Sequence, residues 1–233
     1  MNNPYQQGAF ARPAATLAVD ARARFIMRTY THLIGAIFAF AALEVAIFQS
    51  GLALPIAQAL SGNWMLVFGA MMLTGWGATH FAQSAKSVVA QYFGLGMYVL
   101  MQVIIFVPLL YIANASAPGA IESAAMVTTL GFAGLTAVAF VTRKDFSFLK
   151  GIMFWGFIMA MVAIVASMIF GFHLGTFFSV AMVGLAGAAI LYDTSNVLRH
   201  YPENAHVAAA LALFASVAMM FYYVLRIFIS SRD

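Results

Sequence analysis

Ala188-Ala-Ile-Leu-Tyr-Asp-Thr-Ser-Asn-Val-Leu-Arg199 is the stretch whose reading decides the fold. From Thr176 up to it, nearly every residue is apolar or small. A run of that length and character is a membrane helix. Near its end stands a carboxylate, Asp193. A charged Asp at the centre of a bilayer costs about 2.5–3.5 kcal/mol on insertion scales, and less towards the interface. Two readings of Asp193 stand. It is a hydrogen-bonding group that locks two helices together, or it is a protonatable gate or ion-binding carboxylate. Helical spacing puts Ala186, Ala189, Asn196 and His200 near its face.

Working outward, the rest of the chain has the same character. Of 233 residues, 64% are hydrophobic and only 8% charged. A soluble domain carries about 25% charged residues, so this chain is read as an all-α integral membrane protein. Apolar runs of about 20 residues recur, the length a helix needs to cross the hydrocarbon. The alternation of a membrane barrel is not visible. The absence of cysteine excludes disulfides and thiolate chemistry. The net charge of +4 comes from basic clusters between spans and points to a bilayer rather than a nucleic acid.

Seven spans are expected, at about 30–48, 64–82, 88–112, 121–141, 148–169, 176–198 and 206–229. Residues 1–24 read as a mobile cytoplasmic tail, and 25–233 as one seven-transmembrane helix bundle. The tail lacks an apolar core followed by a cleavage site, so the first span is expected to direct insertion. With the N-terminus inside, Arg12, Arg22, Arg24, Arg28, Lys86, Arg143, Lys144, Lys150 and Arg199 fall on the inner side. Only Arg226 and Arg232 fall outside. That asymmetry predicts a cytoplasmic N-terminus and an outer C-terminus. The glycine pairs 75/77, 94/96, 131/134 and 184/187 suit close helix packing.

Besides Asp193, one other acidic residue lies inside a span, Glu44. It either reaches water at the outer end of span one or lines an internal cavity. On span seven, Ala209, Ala212, Ser216, Met219, Met220 and Tyr223 form one stripe that is expected to face span six. The histidines 32, 80, 173, 200 and 206 form no ligand pair with an acid on one helix, so no metal centre is expected. No buried Ser–His arrangement and no lysine deep in a span is visible, so no enzyme and no cofactor are expected. In the loop between spans four and five, Asp145 or Ser147 is expected to cap span five.

Three pieces together resemble the Bax inhibitor-1 family in its bacterial YccA-like branch. They are Thr142-Arg-Lys-Asp-Phe-Ser-Phe-Leu-Lys-Gly-Ile-Met153, Ala189-Ile-Leu-Tyr-Asp-Thr-Ser-Asn-Val-Leu198 and the terminal Ser230-Ser-Arg-Asp233. The resemblance implies a seven-helix bundle with the last two helices near its centre, in the bacterial inner membrane. It implies a modulator, and a substrate, of the membrane ATP-dependent protease FtsH, gripped by its cytoplasmic tail. The alternative it implies is a pH-sensitive leak for calcium or other cations, gated by an intramembrane aspartate. Leak-type members set two aspartates face to face on the last two helices. Asp193 matches the first; Ser216 occupies the second position, and Met219 stands where an asparagine is common. A carboxylate opposite a hydroxyl lacks the mutual repulsion that lets a carboxylate pair share protons. On this reading Asp193, Ser216, Asn196 and Glu44 line the ion pathway.

Overall fold

A computed structural model describes residues 19–61 and 88–231. Among the described residues it contains seven helices: α1 (Val19–Gln49), α2 (Ala53–Ser61), α3 (Val88–Ser116), α4 (Ala120–Thr142), α5 (Leu149–Phe170), α6 (Thr176–Arg199) and α7 (His206–Ser230). All but α2 are long and apolar enough to cross a membrane, which makes six spans among the described residues. The expected span at 64–82 lies outside the described residues, as does most of the N-terminal tail. α1 begins at Val19, so residues 19–24, expected in the tail, form its opening turns. The short α2 was not foreseen. It packs on α3.

α7 is the axis of the bundle. It packs against α1, α3, α4 and above all α6. Its small residues explain this position. Ala208, Ala209 and Ala210 are all buried, so neighbours close in on several sides of the helix at once. α5 is the opposite case. Ala160 is the one residue it buries among those described, while Phe154, Trp155, Met159 and Ile169 face outward. In water such a helix would be untenable; in a bilayer those side chains face lipid. Gly156 lets α5 approach α6, since a Cβ there would stand 2.7 Å from Leu185 Cδ1.

The starts of α1, α3, α5 and α7 and the ends of α4 and α6 share one end of the bundle. Arg22, Arg24, Arg28, Arg143, Lys144, Lys150 and Arg199 therefore gather there. Arg226 stands near the other end, where its guanidinium donates to the Leu174 carbonyl at 2.9 Å. The connections turn where the backbone demands it. Gly119 (φ 80°) precedes α4, and Gly171 (φ 70°) ends α5 with its N–H on the Ser167 carbonyl. Arg143 ends α4 in the left-handed region at φ 49°, a conformation that few non-glycine residues adopt.

Candidate functional site

On α6, Met182, Ala186, Ala189, Ile190 and Val197 are buried at helical spacing. Asp193 falls on the same stripe and is carried against α7. There the Ser216 hydroxyl donates to Asp193 Oδ2 at 2.6 Å. The two residues that the family resemblance sets opposite each other on the last two helices are thus in direct contact. A short bond to a carboxylate is charge-assisted and stronger than a neutral one.

The pair faces a cavity of about 980 Å³ bounded by the end of α2 and by α3, α5, α6 and α7. Its walls are largely apolar, with Met161, Phe157 and Met219 among them. Polar groups stand at intervals: Tyr98 and Gln102 on α3, Tyr192 beside Asp193, and Arg226 towards the far end. Tyr201, in the connection between α6 and α7, lines the end nearest Asp193. Burial pushes its phenol up from the usual value, and the neighbouring Asp193 and Tyr192 add to this. It therefore stays a neutral hydroxyl at any working pH. Sequence reading missed Tyr201 and Arg226 as cavity residues. Their signal is weak, because each sits at a helix end among residues whose partners only the bundle decides.

The other two expected pathway residues do not join this group. Asn196 is half-buried and is absent from the cavity wall. Its carbonyl accepts the N–H groups of His200 at 2.8 Å and Tyr201 at 3.1 Å, closing the end of α6. Glu44 continues the buried stripe of α1 formed by Phe25, Thr29, Leu33 and Ala36. It is only 6% exposed, so it is not a surface group, and its carboxylate oxygens have no hydrogen-bond partner among the described residues. It is also absent from the wall of the Asp193 cavity.

The loop 143–148 closes onto the end of α6. Ser195 Oγ accepts the Phe146 N–H at 3.2 Å and donates to the Lys144 carbonyl at 3.4 Å. Arg199 donates to the Arg143 carbonyl. The expected cap of α5 is not formed: Phe148 is the N-cap, without a side-chain bond. Asp145 Oδ1 instead accepts the Ser147 N–H at 2.9 Å, which closes a turn within the loop. Asp145 Oδ2 also lies 3.7 Å from His200 Nε2. The Ser147 backbone and hydroxyl, with smaller contributions from His200 and Arg199, hold the Asp145 carboxyl below the usual range. A carboxyl depressed in the folded state stabilises above its unfolded pKa, and that stabilisation is lost as pH falls through the depressed value. Amide-exchange protection at Ser147 is therefore expected to fall in the acid range below about pH 4. Asp145→Asn should remove that dependence. Protection at Ser147 that is flat with pH in the unaltered protein would contradict this account of the loop.

Among the described residues no group of three His, Asp or Glu side chains stands ready for a metal ion. The arrangement is that of a polytopic helical membrane protein with a paired carboxylate facing a cavity between its helices. The chain belongs to the family described as inhibitor of apoptosis-promoting Bax1, which matches residues 22–233. Among its relatives is an uncharacterised protein of Pseudomonas aeruginosa, 34% identical over 122 residues, or 51% of this chain and 54% of that one. The modulator of FtsH protease YccA of Escherichia coli K12 is 32% identical over 110 residues, 46% of this chain and 49% of its own. A BI1-like protein of Arabidopsis thaliana is 34% identical over 125 residues, 50% of this chain and 48% of its own. The matches thus span about half the length of these relatives.

Proposed function

We propose that this protein resides in the bacterial inner membrane with its N-terminus in the cytoplasm and modulates the membrane ATP-dependent protease FtsH, of which it is also a substrate. The observation that carries this reading is the similarity to the E. coli protein named as a modulator of that protease. Two features of the chain support it. The basic residues gather at the end where α1 begins, the pattern of a cytoplasmic face. The chain also has residues 1–18 ahead of α1 as a segment for the protease to engage.

The test follows the half-life of a membrane substrate of FtsH in cells with and without this protein. The intact chain is expected to lengthen that half-life. Deletion of residues 1–18, which leaves α1 whole, is expected to abolish the effect at equal membrane levels. A half-life unchanged by the intact chain rejects the proposal.

A second reading is favoured by the Asp193–Ser216 pair on its cavity. It is a pH-sensitive leak for calcium or other cations, with Asp193 as the gating carboxylate.

A further inference from the structure

The outer end of the Asp193 cavity is built differently from the end at Asp193. Arg226, Tyr222 and Tyr223 of α7 line it, together with His173 of the α5–α6 connection. The guanidinium is held in place by its bond to the Leu174 carbonyl at 2.9 Å. That bond uses one of its five N–H donors. Arg226 also acts electrostatically on the hydroxyls of both Tyr222 and Tyr223, which sets them beside its charge. The two tyrosine rings meet edge-on at 5.3 Å, and Phe178 of α6 braces Tyr223 at 6.0 Å. Among the described residues Asp193 is the one acid on the cavity wall. Its partner Ser216 lies ten residues before Arg226 on α7, or about 15 Å away.

An arginine one turn from the end of a membrane helix has a simple use, which is to reach the head-group layer. Arg226 does more than that, because it is half-buried and forms part of a cavity wall. Between it and Asp193 the wall is apolar, with Leu109 on α3, Phe157 and Met161 on α5, Met182 on α6 and Met219 on α7. A cation and two phenols at one end of an apolar hollow are a donor set for an anion with an apolar tail. Ligand cavities are built in this way, mostly apolar with a few polar groups that fix the orientation. Methionine side chains suit a flexible tail because they adapt their shape to it.

We propose that this cavity binds a long-chain fatty acid anion, with its carboxylate on Arg226, Tyr222 and Tyr223 and its chain running along α7 towards Ser216. A guanidinium takes a carboxylate side-on through two N–H donors, and such bonds are charge-assisted. The chain enters from the outer leaflet between α3 and α5, which no extensive packing joins among the described residues. A diacyl phospholipid is the poorer fit. It would have to bring a second chain and a glycerol past the bond that ties Arg226 to the α5–α6 connection. The site rests on neither the protease reading nor the leak reading, since neither uses Arg226.

Photolabelling of the full chain in nanodiscs tests this. The probe is palmitic acid with a mid-chain diazirine, and the matching alcohol is the uncharged control. The acid is expected to label α5 and α7 around Met161 and Met219, about tenfold more strongly than the alcohol. Arg226→Gln should bring the acid down to the level of the alcohol and leave the alcohol unchanged, which also shows that the cavity is intact. Arg226→Lys keeps the charge and should restore part of the difference. Should Arg226→Gln not fold, Tyr223→Phe removes one donor without touching the charge, and should lower labelling by the acid severalfold. Equal labelling by acid and alcohol in the unaltered protein overturns the proposal. So does label confined to the outward Phe154 and Trp155 of α5, or labelling by the acid that survives Arg226→Gln in folded protein. Stronger labelling by a phosphatidylglycerol with the same diazirine also overturns it, since the bound head group would then be a phosphate.

Discussion

Phe106→Ala is expected to destabilise this protein by about 3–5 kcal/mol. Phe106 is 1% exposed on α3 and meets rings from two other helices. It stacks on Phe221 at 5.6 Å, meets Tyr222 edge-on at 5.4 Å, and meets Phe40 of α1 edge-on at 5.1 Å. The solvent matters to the size of the effect. The separated helices would still lie in lipid, so the water-transfer part of a Phe→Ala cost is largely absent. What remains is the cavity, at about 24 cal/mol per Å³ over roughly the 100 Å³ of a phenyl ring, or about 2.4 kcal/mol. Lost ring–ring contacts add about 0.5–1.5 kcal/mol per pair, some of which relaxation recovers. Unfolding by SDS in mixed micelles reads the difference. Phe106→Leu should recover part of it, and Phe154→Ala, on the outward face of α5, should change little. Equal midpoints for Phe106→Ala and Phe154→Ala would mean that interior packing is not what holds these helices together.

The membrane class was legible, and so were the six of the seven expected spans that fall among the described residues, because apolar length is a one-dimensional property. That Ser216 lies on the stripe of α7 facing α6 was legible by counting along the helix; its pairing with Asp193 came from the family resemblance. What was not legible depends on neighbours. Glu44 stands near the end of α1, and position along a helix says nothing about what covers it; it is buried. Asn196 shares a face with Asp193 by spacing but lies within the last turn of α6, where its carbonyl closes the helix end. On α7 one stripe was expected to pack, against span six. That helix is buried nearly all round, since Val207 to Leu211 are all interior, because the bundle places it at the centre. The helix α2 lies between two turn signals, Ser50-Gly51 and Ser61-Gly62, and is too short to register as a span.

Asp193→Asn separates the two roles open to the carboxylate, because the amide keeps an oxygen for the Ser216 hydroxyl while losing the charge. If Asp193 gates a leak, calcium flux into liposomes should fall steeply with this change and lose its pH dependence. The size follows from Coulomb's law. A unit charge 4 Å from a passing cation is worth about 4 kcal/mol at an effective dielectric constant near 20, so its removal slows entry by more than about a hundredfold. Stability in the same variant should change little, since the bond to Ser216 survives. Ser216→Ala tests the complementary side. It leaves the carboxylate charged but without its 2.6 Å donor, so flux should persist while its pH midpoint moves. Asp193→Leu removes charge and bond together, and should lower both flux and stability. A helix lock behaves differently across this set. Asp193→Asn would then leave any flux intact, and only Ser216→Ala and Asp193→Leu would weaken the fold. Flux unaltered by Asp193→Asn in a folded protein therefore ends the gate reading. Asp193 would then be the pin between α6 and α7, and modulation of the protease would be left to the segment ahead of α1 and the outer faces of the bundle.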